Sequence, residues 1–288
     1  MRRSLIGFAL GAALLAAESG RLRAQAVEQT DTVYRVRLAD GSTLYGRVVE
    51  SSEARVVVLT EAGVRVEVER SQIRDMTPLA GRLVNGQVWP EDANRTRLFF
   101  GPTGRALGDG EGYVGLYELF FSFIAVGIGD RVTLAGGTPI FPGAIGDVIY
   151  LAPKVTLVNE DRLQFAAGAL SFFLTESIDE GSVGIAYGVL TMGSADDAVT
   201  LGAGWGFALG GDESSIADEP VIMMGLERRA SRSIKLISEN YYAAGDLLVS
   251  GGIRFLGERF SADVGLAGAL GTGDSSFGLP ILSVAWRF

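Results

Sequence analysis

The sequence predicts an all-β protein: a transmembrane antiparallel β-barrel preceded by a small β-domain. Three observations carry this expectation. Hydrophobic residues make up 48% of the chain, yet beyond the N-terminus no apolar run approaches the roughly 20 residues that a membrane-spanning helix needs. Glycine occurs 40 times in 288 residues, about twice its usual share. From Thr96 onward, alternating apolar segments of about ten residues are separated by turn residues, the pattern of a barrel whose walls face lipid on one side.

The elements follow in order. "MRRS", "LIGFALGAALLAA" and "AQA" supply a positive start, an apolar core and an A-x-A cleavage site, so residues 1–26 read as a signal peptide cut after Ala26. An uncleaved N-terminal anchor is the alternative; with no cysteine anywhere, a lipoprotein anchor is not expected. Cleavage removes four arginines (Arg2, Arg3, Arg21, Arg23) and Glu18, taking the formal charge from −9 to −12.

Residues 27–77 form the predicted small periplasmic domain. "RVRLADGSTLYGRV" and "RVVVLTEAGVRVEVE" alternate strongly around turns at Asp40-Gly41 and Gly63, each a hairpin signal. Charged strand, D-G turn and a glycine in the next strand resemble the first strands of SH3-like and Sm-like domains. The resemblance covers about 45 residues, and such folds host many functions. Residues 78–95, with Pro, Gly and Asn and no period, read as a linker.

The barrel is assigned to 96–288. Short turns ("GIGDR", "NEDR", "SADDA", "ASRS", "GER") alternate with longer ones ("ALGDGEG", "IFPGAIGD", "TESIDEGS", "GGDESSIADEP", "GTGDSSFG") and a tight "AAGD" near 243–246, as periplasmic turns alternate with outer loops. Strands are expected near 96–104, 112–126, 131–140, 147–158, 162–174, 182–193, 199–210, 220–230, 233–243, 246–257, 259–270 and 279–288. That makes twelve, an even number with both ends on the periplasmic side; ten is the alternative. The first, "TRLFFGPTG", is included partly to satisfy that parity. In 199–210, Val199, Leu201, Ala203, Trp205, Phe207 and Leu209 share one face and mostly glycines the other.

At the C-terminus, Leu282, Val284, Trp286 and Phe288 alternate with Ser283, Ala285 and Arg287. This ending resembles the assembly signal of bacterial outer-membrane barrels. The segment "NRTRLFFGPTGRALGDGEGYVGLYELFF" also resembles Gram-negative barrel proteins with no assigned activity. The resemblance implies outer-membrane lipid and the barrel-assembly machinery as partners.

Strand parity points Glu118, Lys154, Gln164, Glu227, Lys235, Glu239, Arg254, Asp263 and Arg287 into the lumen, since Lys or Arg facing lipid near the midplane costs about 2–4 kcal/mol. These charges either pair and fill a narrow lumen or line a selective constriction. Tyr113, Tyr117, Tyr150, Tyr187, Trp205, Tyr241, Tyr242 and Trp286 are assigned to strand ends or outer faces as an aromatic girdle. Glu176, Asp179, Glu180, Asp212, Glu213, Asp218 and Glu219 form an acidic outer rim whose spacing matches no Ca²⁺ loop; no metal or cofactor is expected.

Histidine and cysteine are both absent. That removes the commonest general base, the commonest metal ligand and thiol chemistry, and no G-x-S-x-G nucleophile elbow occurs. Acidity argues against nucleic acid. The expected function is therefore non-enzymatic: a narrow channel or structural barrel with a periplasmic β-domain. The alternative is a membrane-anchored adaptor whose N-terminal domain binds a periplasmic protein or the cell wall.

Overall fold

The computed structural model describes residues 32–141, 145–175, 181–210, 214–271 and 276–288. The proposed signal peptide, and the loop acids Glu176, Asp179, Glu180, Asp212 and Glu213, lie outside them.

The N-terminal sheet contains β1 (Val33–Leu38), β2 (Thr43–Ser51), β3 (Arg55–Leu59), β4 (Arg65–Glu69) and β5 (Ile73–Leu79) in the order β4-β3-β2-β1-β5, all antiparallel. Both expected hairpins are present. Gly41, at φ +90°, sits in the turn between β1 and β2, a conformation that costs glycine nothing. Val36, Val48, Val56 and Val58 form the core. The sheet runs two residues beyond the expected boundary at 77. The expected linker is not one: β6 (Gly81–Val84) and β7 (Gln87–Pro90) pair as a hairpin within it.

The second sheet is a closed antiparallel barrel. Its strands are β8 (Gly112–Tyr117), β9 (Phe121–Ile128), β10 (Val132–Gly137), β11 (Val148–Leu151), β12 (Lys154–Glu160), β13 (Leu163–Leu174), β14 (Ser182–Gly193), β15 (Asp197–Leu209), β16 (Ser215–Ile216), β17 (Val221–Ser231), β18 (Ile234–Ala243), β19 (Asp246–Leu256), β20 (Phe260–Leu270) and β21 (Ser276–Arg287). Two-residue β16 only flanks β15, and β11 and β12 are halves of one wall strand interrupted at Ala152-Pro153, which leaves twelve wall positions. Pairing of β21 with β8 closes the ring.

Twelve is the expected number, reached by a different partition. Residues 96–104 are not a wall strand; outside one isolated bridge between Arg97 and Pro102 they form turns and bends. The expected strand 112–126 is instead two strands, reversed at Glu118 and Leu119, both with positive φ (50° and 60°). No Gly, Asn or Pro marks that turn, so its sequence reads as continuous.

The wall is inside-out relative to a water-soluble domain. Ile124, Leu157, Leu201, Trp205, Leu226, Leu236, Leu266 and Trp286 are exposed on the outer face, while Lys154, Glu227, Lys235, Glu239, Arg254 and Asp263 are buried. The face assignment for 199–210 holds at Val199, Leu201, Trp205 and Leu209, which are exposed, and at Thr200, which is buried. Leu282, Val284, Trp286 and Phe288 share the outward face, Phe288 being 61% exposed.

Candidate functional site: an internal plug and an aromatic cavity

Residues 91–108 run inside the barrel. Their composition explains why they need not sit in the wall: Arg95, Arg97 and Arg105 would put cations towards lipid, whereas Leu98 and Phe99, adjacent in sequence, are both fully buried. A wall strand sends neighbouring side chains to opposite faces, so two consecutive residues at 0% exposure require protein on every side. The segment turns back on itself, Leu98 N–H donating to Gly101 O (2.8 Å) and Thr103 N–H to Thr96 O (2.9 Å).

The inward charges of the wall meet this plug. Asp92 Oδ2 accepts from Lys235 Nζ (2.8 Å) and Arg254 Nη1 (3.0 Å). Arg254 also makes a two-pronged pair with Asp263, Nε–Oδ1 2.6 Å and Nη2–Oδ2 2.9 Å. It donates further to the carbonyls of Asn94, Arg97 and Leu98. Glu227 bridges Lys235 (3.0 Å) and Arg105 (2.7 Å). Asp92, Glu227 and Asp263 against Arg105, Lys235 and Arg254 thus balance in charge. Burial pushes the Asp92 carboxyl up, but Arg254 and Lys235 together outweigh it and hold the group well below the ordinary carboxylate range.

Two further anchors use the plug backbone. The N–H groups of Phe99 (2.7 Å), Phe100 (3.1 Å) and Gly101 (3.1 Å) donate to the Glu239 carboxylate, which also accepts from Tyr241. Lys154 Nζ donates to the carbonyls of Thr103 (2.8 Å) and Arg105 (2.7 Å). Thr156 of β12 and Thr191 of β14, on either side of β13, hydrogen-bond Gly104. Gly225 is glycine for a steric reason: a Cβ there would overlap the Leu98 side chain.

Of the residues that parity points inward, Lys154, Gln164, Glu227, Lys235, Glu239, Arg254, Asp263 and Arg287 are buried on the inner face. Arg254 pairs with Asp263, and Glu227, Lys235, Arg254, Asp263 and Arg287 lie towards the short-turn end. Glu118 does not match: it lies in the β8–β9 turn at the opposite end, half-buried, and accepts from Leu282 N–H. What parity alone could not supply is the plug that these groups hold.

The short-turn end is covered by the N-terminal residues. Arg35 pairs with Glu258 (3.0 Å), Glu91 with Arg287 (2.8 Å) and Arg82 with Asp196. Burial pushes the Asp196 carboxyl up, but Arg82 and Arg229 outweigh it and leave the group below its ordinary value. Trp89 of the β6–β7 hairpin packs against the Arg82 and Arg229 guanidinium groups, 5.3 and 5.0 Å from its ring centre, and Arg229 and Arg232 donate to the carbonyls of Pro90 and Val88.

At the long-loop end the described residues leave part of the lumen open. A cavity of about 210 Å³ is lined by Arg97, Phe100, Tyr117, Phe121, Phe123, Tyr150, Leu170 and Phe172. The girdle assignment is corrected here: Tyr113, Tyr117 and Tyr150 are buried inside the barrel, and Tyr187 and Tyr241 pack against its inner core, while Trp205, Tyr242 and Trp286 face outward. Tyr113, Tyr117 and Tyr241 use their hydroxyls on Thr96, Asn94 and Glu239, which a lipid-facing ring could not do. Among the described residues no group of three or more acidic side chains converges as a metal site, and Asp218 and Glu219 are exposed.

No family model matches the chain, and no curated protein is detectably similar to it. Solved structures with a similar fold include the KdgM porin in complex with disordered oligogalacturonate (6% identity, TM-score 0.44, 62% of this chain and 98% of that one). Others are a loop-L8 deletion of OmpT, an outer-membrane protein of Vibrio cholerae (13%, 0.39, 89% and 96%), and OccK11 of Pseudomonas aeruginosa (10%, 0.32, 89% and 93%). At such values the architecture rests on the strand pairing of the chain itself.

Proposed function

We propose that the protein is a non-enzymatic outer-membrane barrel held closed by its own residues 91–108, with the N-terminal β-domain at the periplasmic mouth. The carrying observation is the six-charge network that joins Asp92 and Arg105 of the plug to Glu227, Lys235, Arg254 and Asp263 of the wall. An open, selective constriction would leave these groups to water and ions; here they are bonded to protein. Several lines support the membrane assignment: an apolar outer face on a closed barrel, which leaves no unpaired edge to lipid, the export signal in the sequence, and the outward Leu282, Val284, Trp286 and Phe288, read as the assembly signal. Placing residues 32–79 in the SH3-like or Sm-like class is supported by five short antiparallel strands around a valine core.

The adaptor reading is compatible with a closed lumen. It keeps the N-terminal domain as the working part and makes the barrel its anchor, but no exposed feature of that domain distinguishes a partner. Planar-bilayer recording tests the closed barrel. The intact protein is expected to show only rare, small openings, and a variant carrying Asp92→Ala with Glu239→Ala to show frequent ones. Steady conductance from the intact protein would refute closure by the plug.

A further inference from the structure

We propose that the cavity at the long-loop mouth is a binding site for a small aryl carboxylate, with Arg97 as its counter-ion. The cavity is built from rings. Tyr117, Phe121, Phe123, Tyr150 and Phe172 come from β8, β9, β11 and β13, and Phe100 from the plug. The rings stand at contact angles and separations typical of aromatic clusters: Tyr117–Phe123 5.5 Å edge-to-face, Phe123–Tyr150 6.2 Å stacked, Tyr150–Phe172 5.8 Å tilted. Phe100 and Phe121 remain 40% and 38% exposed although Phe100 packs against Tyr117 (6.2 Å) and Phe121 against Tyr150 (6.5 Å), so part of the aromatic surface stays reachable from solvent.

Arg97 supplies the second, independent observation. Its guanidinium lies 4.1 Å from the Phe123 ring centre, and Nη1 donates to Phe100 O at 2.8 Å. No ion pair among the described residues includes it, whereas Arg95, Arg105, Lys235, Arg254 and Arg287 each have a carboxylate. The other inward cation without a carboxylate, Lys154, is spent on plug carbonyls. A guanidinium carries five N–H donors in a planar fork suited to a carboxylate; among the described residues the partners of Arg97 are Phe100 O and the Tyr113 hydroxyl, and neither carries a charge. A cation held on an aromatic face in a low-dielectric cavity favours an anion that brings its own flat apolar body.

Size narrows the class. An apolar cavity of about 150 Å³ accommodates benzene; 210 Å³ admits one or two fused rings with a carboxylate. A second cavity of about 160 Å³ shares Arg97, Phe100 and Leu170 with the first and is lined by Tyr187, Met223 and Tyr241, so the guanidinium stands between two apolar chambers. Occupancy of this site does not depend on whether the barrel conducts.

The test is equilibrium dialysis of 2-naphthoate against the full-length protein in nanodiscs, with empty nanodiscs subtracted and the neutral 2-naphthylmethanol as comparison. Saturable binding near one per chain is expected, with the anion favoured by about tenfold, as a charge-assisted hydrogen bond gives. Arg97→Gln should abolish the preference for the anion, and Arg97→Lys should keep part of it. Phe172→Ala should weaken both probes, and heat-modifiable mobility on gels confirms that each variant is folded. Non-saturable binding, equal affinity for the two probes, or an unchanged preference in folded Arg97→Gln would overturn the proposal.

Discussion

Arg254→Ala is the single change expected to damage this barrel most. The side chain is fully buried and serves five acceptor groups: the Asp263 and Asp92 carboxylates and three plug carbonyls. Removing one member of a buried pair leaves the other poorly compensated, at about 3–5 kcal/mol; Lys235 still neutralises Asp92, so most of the loss falls on Asp263. Adding Asp263→Ala should therefore restore about 1–3 kcal/mol, but not all, because the three carbonyls lose their donor in both variants. Equilibrium unfolding in urea, from a folded state embedded in vesicles, measures both changes and their coupling. The same network sets an acid limit. Asp92, with its folded-state pKa depressed, adds stability that is complete above the unfolded carboxylate value of about 3.9, and that stability is lost as pH falls from there through the lower folded value. A neutral Arg254→Ala, or a strictly additive double mutant, would refute the pairing.

Two other predictions test the steric and outward faces. Gly225→Val should strike Leu98 and destabilise the plugged state by about 1–3 kcal/mol, with Leu98→Ala added to it recovering part of the loss; equal melting of Gly225→Val and the unsubstituted protein would count against the close approach. Phe288→Asp should lower the yield of heat-modifiable barrel in outer membranes more than Arg287→Ala, because Phe288 lies on the outward face while Arg287 pairs with Glu91; equal yields would show that the C-terminal pattern is not read during assembly.

The parts of the fold legible in the sequence were those that obey a period. Lipid on one side and protein on the other impose strict alternation, so β15 and β21 can be assigned residue by residue, and the sign and direction of Lys235, Glu239, Arg254 and Asp263 follow from the same parity. The plug obeys no period because protein surrounds it. "TRLFFGPTG" imitates a strand with a turn, and the even-number rule then rewards the imitation while the unmarked reversal at Glu118-Leu119 hides the true twelfth strand. A signal was nevertheless present: Arg95, Arg97 and Arg105 flank Leu98-Phe99, a density of cations that a lipid-facing wall would not bear. The inward tyrosines were misplaced for a related reason. An aromatic girdle explains a ring by its depth alone, and nothing in the spacing of Tyr113 or Tyr117 announces the Thr96 and Asn94 side chains of the plug that bond their hydroxyls, or in that of Tyr150 the Ser122 carbonyl on β9.

The network also explains why charge, rather than a larger apolar core, holds the plug. Buried ion pairs add little net stability over apolar packing of the same volume, but they are exacting about position. Asp92 meets Lys235 on β18 and Arg254 on β19 at 2.8 and 3.0 Å, and sliding the plug by one residue, over 3 Å of extended chain, would break both contacts. Glu239 fixes the tip independently through three consecutive N–H groups. Two such points set depth and rotation together, so the plug is a registered insert. Withdrawing it would strip partners from Lys235, Arg254 and Glu239 at once, and opening becomes favourable only if water, ions or a ligand replace those partners.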